Sequence, residues 1–171
     1  MPVSQATLLN FAAKAPMQKS AEVINFAKAS RKQTAFLSHS HKNADLAKGV
    51  QAFLQAEGWD VYIDWEDSGM PESPNRETAE RIQAKIRDLN WFLFLATKNS
   101  TESRWCPWEI GYADGVKKYE NILIIPTSDG NKTHGNEYLE LYRRIEVADA
   151  GGYGAFPPGT SGIKISALAP L

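Results

Sequence analysis

The chain has 171 residues and a single cysteine, Cys106. An internal disulfide is therefore excluded, and the usage suits a reducing cytosol. Neither G-x-x-x-x-G-K-[ST] nor G-x-G-x-x-G after a strand occurs in the sequence, which argues against P-loop and Rossmann dinucleotide sites. Long apolar runs are also missing. The most apolar stretch, "WFLFLA" from Trp91, falls far short of the about 20 residues a spanning helix needs. Charge bias is absent too: the formal net charge is -1 and the basic residues are dispersed, so nucleic acid is not an expected partner. The start, "MPVSQATLLNFAAKAP", lacks the charged opening and long apolar core of a signal peptide. Without secretion, the sequons at Asn99 and Asn131 carry no meaning. The expectation is a cytoplasmic protein with no membrane partner, built as one domain with a core large enough to need no staples.

What is present is an alternation of strand and helix patterns. Two short helical patterns, Thr7–Ala15 and Ala21–Ala29, come first and are split by Pro16. Each has one modest apolar face, which needs either the main domain or another subunit to cover it. From Thr34 the order is "TAFLSHS", a helix with Leu46, Val50, Phe53 and Leu54 on one face, then "DVYIDW". A polar loop, "EDSGMPESP", leads to a helix carrying Ala79, Ile82, Ile86 and Leu89, started by Ser73-Pro74 or Asn75. The runs "WFLFLAT" and "NILIIPT" read as central parallel strands, with a helix between them. A weaker helix around Tyr138–Arg143, an edge strand "RIEVAD" and a Gly- and Pro-rich wrapping tail complete the chain. The fold class is α/β: a flavodoxin-like, doubly wound parallel sheet of about five strands with helices on both faces. The expected divisions are an N-terminal helical extension over residues 1–30, the main domain over 31–150 and the tail over 151–171.

Ligands on such a sheet bind outside the carboxyl ends of the strands. Ser38-His39-Ser40, Asp64-Trp65-Glu66 and the segment after Thr97 converge there. His39 and His41 could form a two-histidine metal clip, but no third ligand is evident and His134 is distant, so no metal is expected. Cys106 reads as a small buried apolar residue rather than a nucleophile. The segment "SRWCPWEIGYADG" holds the informative carboxylate. Glu109 is either a first-turn glutamate that caps its helix or a functional group in the crevice. Trp105, Trp108 and Glu109 stand at i, i+3 and i+4, so they share one helix face, and indoles suit planar or cationic ligands.

Together "TAFLSHSHKNAD", "GWDVYIDWEDSGMPESPNRETAERI" and "SRWCPWEIGYA" resemble the boxes of the TIR (Toll/interleukin-1 receptor) domain family, over about Thr34 to Arg144. The resemblance is to bacterial TIR proteins of Thoeris-type antiphage systems. It implies a TIR domain over 31–150 that breaks the nicotinamide–ribose bond of NAD, as a glycohydrolase or an ADP-ribosyl cyclase. NAD would then be the substrate, with no other cofactor. The implied catalytic residue is Glu109, with Trp105 and Trp108 stacking on substrate and Ser38, His39, Asp64 and Glu66 lining the pocket. The implied partners are other TIR domains and a separate effector reached through an ADP-ribose-derived product. Two departures from the family pattern are the Pro-rich loop "EDSGMPESP", which stands where the family has its BB loop, and Pro107 at the helix start, which bears on where Glu109 points. The competing expectations are a non-catalytic TIR–TIR signalling adaptor and a nucleoside deoxyribosyltransferase-like enzyme.

Overall fold

The computed structural model describes residues 1–15, 33–71, 73, 75–138, 140–149 and 151–168; the second helical pattern, 21–29, lies outside them. In chain order the elements are β1 (Val3–Ser4), α1 (Gln5–Lys14), β2 (Gln33–Ser38), α2 (Ala44–Ala56), β3 (Trp59–Tyr62), α3 (Arg76–Asp88) and β4 (Trp91–Ala96). They continue with α4 (Lys98–Thr101), α5 (Cys106–Val116), β5 (Ile122–Ser128), β6 (Thr133–His134), β7 (Arg143–Val147), β8 (Tyr153–Phe156) and β9 (Ile163–Lys164).

Strands β3, β2, β4, β5 and β7 lie side by side in that order, all parallel. The chain leaves β2 toward β3 on one side and returns to β4 on the other. Their carboxyl ends therefore part above β2 and β4, where an open α/β sheet leaves a crevice. Successive side chains of a strand face opposite ways, which explains why the central runs are apolar throughout. Leu37 and Leu93 point into a core with Val50, Phe53 and Leu54 of α2. Their neighbours Phe36 and Phe94 point into a second core with Ile82 and Ile86 of α3 and Ile110 of α5. The Asn75 side chain caps α3, accepting from the Thr78 amide at 3.0 Å, while Thr78 Oγ1 accepts from the Asn75 amide.

The sheet extends beyond the five expected strands. β7 is not an edge: it pairs with β5 on one side and antiparallel with β8 on the other. β9 then pairs with β8, so part of the expected tail forms sheet. The glycines read as loop composition are turn residues. Gly151 and Gly152 have φ of 83° and 77°, and the Ala148 amide donates to the Gly152 carbonyl at 3.0 Å, closing a hairpin. The weaker helix around Tyr138–Arg143 does not form; a 3-10 turn, Asn136–Tyr138, leads through tight turns into β7.

The N-terminal segment is covered by the domain itself. Val3 pairs with Thr127, the Met1 ammonium donates to the Val147 carbonyl at 2.9 Å, and Leu8 is fully buried. α1 crosses α2 at Gly49, where an added Cβ would stand 2.1 Å from the Leu8 carbonyl oxygen. Among the described residues no helix is long and apolar enough to cross a membrane.

Helix propensity and packing oppose each other at Gly49. Ala is favoured over Gly inside a helix by about 1 kcal/mol, but a backbone contact cannot yield as a side chain can. Gly49→Ala is expected to lower stability in chemical denaturation by about 1–3 kcal/mol. Gly111→Ala in α5, where a Cβ meets nothing within 4 Å, is expected to raise it by about 0.5–1 kcal/mol.

Candidate active site

Three loops build the crevice and are bonded to one another. Asn43, ahead of α2, accepts at Oδ1 from Thr97 Oγ1 at 2.9 Å and from Asn99 Nδ2 at 3.1 Å, tying the end of β2 to the loop after β4. Thr97 and Ser100 form a reciprocal capping box that fixes α4. Ser103 then starts the next helix: its Oγ accepts from the amides of Trp105 at 3.1 Å and Cys106 at 3.4 Å. Pro107 occupies the first turn of α5, where no intrahelical donor is lost.

With Ser103 satisfying those amides, Glu109 is free to point elsewhere. Its own amide continues the helix, donating to the Trp105 carbonyl at 2.8 Å. Its carboxylate does not cap the helix. It crosses to the sheet and accepts from Ser38 Oγ at 2.6 Å, with 5% of the residue exposed. Burial pushes the Glu109 pKa up to about 7; the hydrogen bond from Ser38 resists that rise and the nearby Asp64 charge adds to it. The carboxylate faces a cavity of about 330 Å³ that is also lined by Trp105, His39, His41, Asp64 and Ser103.

The opposite wall is a set of paired polar groups. Asp64 Oδ2 lies 3.4 Å from His41 Nε2, and Asp64 Oδ1 accepts from the Trp65 amide at 2.9 Å. Burial alone would raise the Asp64 carboxyl, but its bond to His41 and the Trp65 amide outweigh it and hold the group below the usual carboxylate range. His41 is raised, first by its bond to Asp64. His39 is lowered by burial and occupies both ring nitrogens within the protein, with Leu37 O at 3.2 Å and Trp65 Nε1 at 2.8 Å. His41 is thus bonded to Asp64 while both nitrogens of His39 are committed to Leu37 and Trp65, and no group of three or more His, Cys, Asp or Glu stands in metal-holding geometry among the described residues. Cys106 is buried and its thiol is pushed up to about 11, chiefly by that burial, so little thiolate forms at neutral pH.

Of the residues singled out in the sequence, Glu109, Trp105, His39 and Asp64 line this one cavity, and Ser38 lies against Glu109 beneath it. Trp108 and Glu66 do not line it. At about 100° per residue, Trp108 and Glu109 fall on opposite sides of Trp105, so a shared face does not put both in the same crevice. Trp108 stands outside, edge-on to Trp105 at 5.4 Å and stacked on Tyr112 at 6.1 Å. Glu66 turns toward α2, pairs with Lys48 and accepts from Gln51 at 3.0 Å. Ser40, Asn99, Glu102 and Ser103 also line it, from the segments that the sequence brought to the strand ends, whereas His41, Lys42 and, from α3, Thr78 and Ile82 are lining residues that the sequence reading did not place. For His41 a signal existed, its alternation with His39; Thr78 and Ile82 show only ordinary helical spacing.

A family model described as "TIR domain" matches residues 35–154, which run from within β2 into β8 and include the residues that line the crevice. The chain belongs to the TIR domain family. It is also 36% identical over 110 residues to a protein of Bacillus cereus (strain MSX-D12) named "Probable 3' cyclic ADP-D-ribose synthase ThsB'". That match covers 63% of this chain and 57% of the relative, so the TIR chain spans little more than half the relative's length.

Because Glu109 is raised from an ordinary 4.5 to about 7 in the folded state, the unfolded chain releases its proton first. Stability from this group is complete below pH 4.5 and is lost as pH rises toward and through 7. Glu109→Gln is therefore expected to gain stability relative to the wild type between pH 5 and pH 8. The gain is on the order of 3 kcal/mol, read from denaturation midpoints across that range.

Proposed function

We propose that this TIR protein cleaves the nicotinamide–ribose bond of NAD, with Glu109 as the catalytic carboxylate. The observation that carries the reading is the buried Glu109 carboxylate, aimed into a cavity at the sheet's switch point and hydrogen-bonded by Ser38 rather than used as a helix cap. An assembly module has no need of a carboxylate kept from water in this way, since burial of the charged form is costly.

In the proposed reaction the C1′–N bond breaks and its electron pair leaves with nicotinamide, converting the cationic ring to a neutral molecule. The ribose becomes oxocarbenium-like, as in glycoside cleavage. The ionised Glu109 stabilises that positive charge and accepts from ribose hydroxyls. Trp105 offers an indole wall for a planar ring. Nicotinamide leaves without a proton, so the step needs neither a strong general acid nor a metal. Water as acceptor gives ADP-ribose and a proton; an internal hydroxyl or an adenine nitrogen gives a cyclic isomer and a proton. The name of the Bacillus cereus relative supports the cyclic outcome. The wider reading is an ADP-ribose-derived signal for a separate effector in bacterial antiphage defence, with TIR–TIR self-association completing the active form. It rests on that likeness and on the three sequence boxes.

The test is incubation with NAD at high protein concentration and under crowding, with products identified by mass spectrometry. Glu109→Gln is expected to lose at least about 10²-fold in rate. Wild-type activity is expected to rise with pH through about 7 as Glu109 ionises. Ser38→Ala removes a donor to the charged form and should move that rise to higher pH. Equal NAD loss in Glu109→Gln, or none in the wild type, ends the reading.

A further inference from the structure

The hydrogen bonds around His39 define its protonation state without reference to any ligand. An indole N–H can only donate, so at 2.8 Å from Trp65 Nε1 the His39 Nε2 must accept and carries no proton. A carbonyl oxygen can only accept, so the ring proton lies on Nδ1 and is donated to Leu37 O at 3.2 Å. The imidazole is neutral and both its nitrogens are committed. Asp64 would otherwise draw a proton onto that ring, since its Oδ1 is 4.0 Å from His39 Nε2. The other titratable ring nearby is His41, 5.9 Å away between centroids and bonded to the far oxygen of Asp64.

Trp65 is 42% exposed, so burial of its ring does not account for its position. Its backbone is held by Asp64, Lys48 Nζ lies over its ring at 5.2 Å, and Lys48 pairs with the adjacent Glu66. Gln51 secures Glu66 in turn, donating to it and to the Val61 carbonyl at 3.0 Å each. The indole is thus clamped to α2 with its N–H aimed at one imidazole nitrogen.

We propose that Trp65 is a positioning residue that keeps His39 uncharged, so that no added positive charge offsets the carboxylates of Asp64 and Glu109, on facing sides of the cavity, where the cationic ring of the substrate would sit. The last clause rests on the NAD-cleaving reading; the lock on His39 does not. An imidazolium at position 39, beside the His41 ring already bonded to Asp64, would leave that set with excess positive charge and repel the nicotinamide cation, while leaving the ADP-ribose portion untouched.

Trp65→Phe keeps an aromatic face for Lys48 and deletes the indole donor, at the cost of one ring from a side chain that is already 42% exposed. In the wild type, ¹⁵N and ¹³C NMR of the His39 ring should show the Nδ1–H tautomer, with no protonation from pH 8 to pH 5.5. In Trp65→Phe the ring should titrate within that range. The ratio of the NAD KM to the ADP-ribose inhibition constant, divided by its wild-type value, should grow as pH falls from 8 to 6, by up to about tenfold. In Trp65→Phe/His39→Asn that pH dependence should vanish, since no proton can be taken up at position 39. A His39 ring that stays neutral in Trp65→Phe overturns the proposal, as does a KM change independent of pH. If the wild type cleaves no NAD, the catalytic reading fails by itself, and the NMR titration alone decides the lock.

Discussion

The site depends on one buried hydrogen bond, from Ser38 Oγ to the Glu109 carboxylate at 2.6 Å. It joins the last residue of β2 to the first turns of α5, two elements 71 residues apart in sequence. A carboxylate withdrawn from water costs several kcal/mol unless it is partnered, and a single hydroxyl is only partial compensation. The remainder shows as a pKa near 7, in the range where a carboxylate is partly ionised at cellular pH. That cost is tolerable because the surrounding layers are well packed, with both faces of the central strands buried.

The rest of the crevice follows from satisfying polar groups around that bond. Ser103 takes the amides that open α5, which releases Glu109 from any capping duty. Asn43 bridges the loops after β2 and β4, so the two strand ends that frame the cavity cannot drift apart independently. On the opposite side Asp64, His41, His39 and Trp65 form a connected set in which each acceptor meets a donor. A charged wall on one side of the cavity and an indole on the other suit a ligand that is both planar and positively charged.

The termini support this arrangement from the opposite ends of the chain. β1 and α1 seal the face carrying α2, closely enough that Gly49 is required where the helices cross. The β7–β8–β9 ladder covers what would otherwise be an open parallel edge. Residues 1–15 and 153–168, legible in the sequence only as parts of an amphipathic extension and a Gly- and Pro-rich tail, therefore add strands to the sheet and side chains to the core under α2.

Local pattern determined the succession of the central strands and helices along the chain, the helix faces, the absence of a phosphate loop and the importance of "SRWCPWEIGYADG". Those features are carried by periodicities of two and 3.6 residues and by turn chemistry, which act over a few positions. Tertiary structure decided the direction of Glu109, because the choice between a cap and a crevice depends on Ser38, 71 residues away. It also removed Trp108 and Glu66 from the cavity lining, since a helical stripe is wider than a pocket and a strand-end carboxylate pairs with whatever cation the next helix presents. The hairpin of β8 stayed hidden because glycine marks a flexible loop and a tight turn alike, and only the paired strands distinguish them.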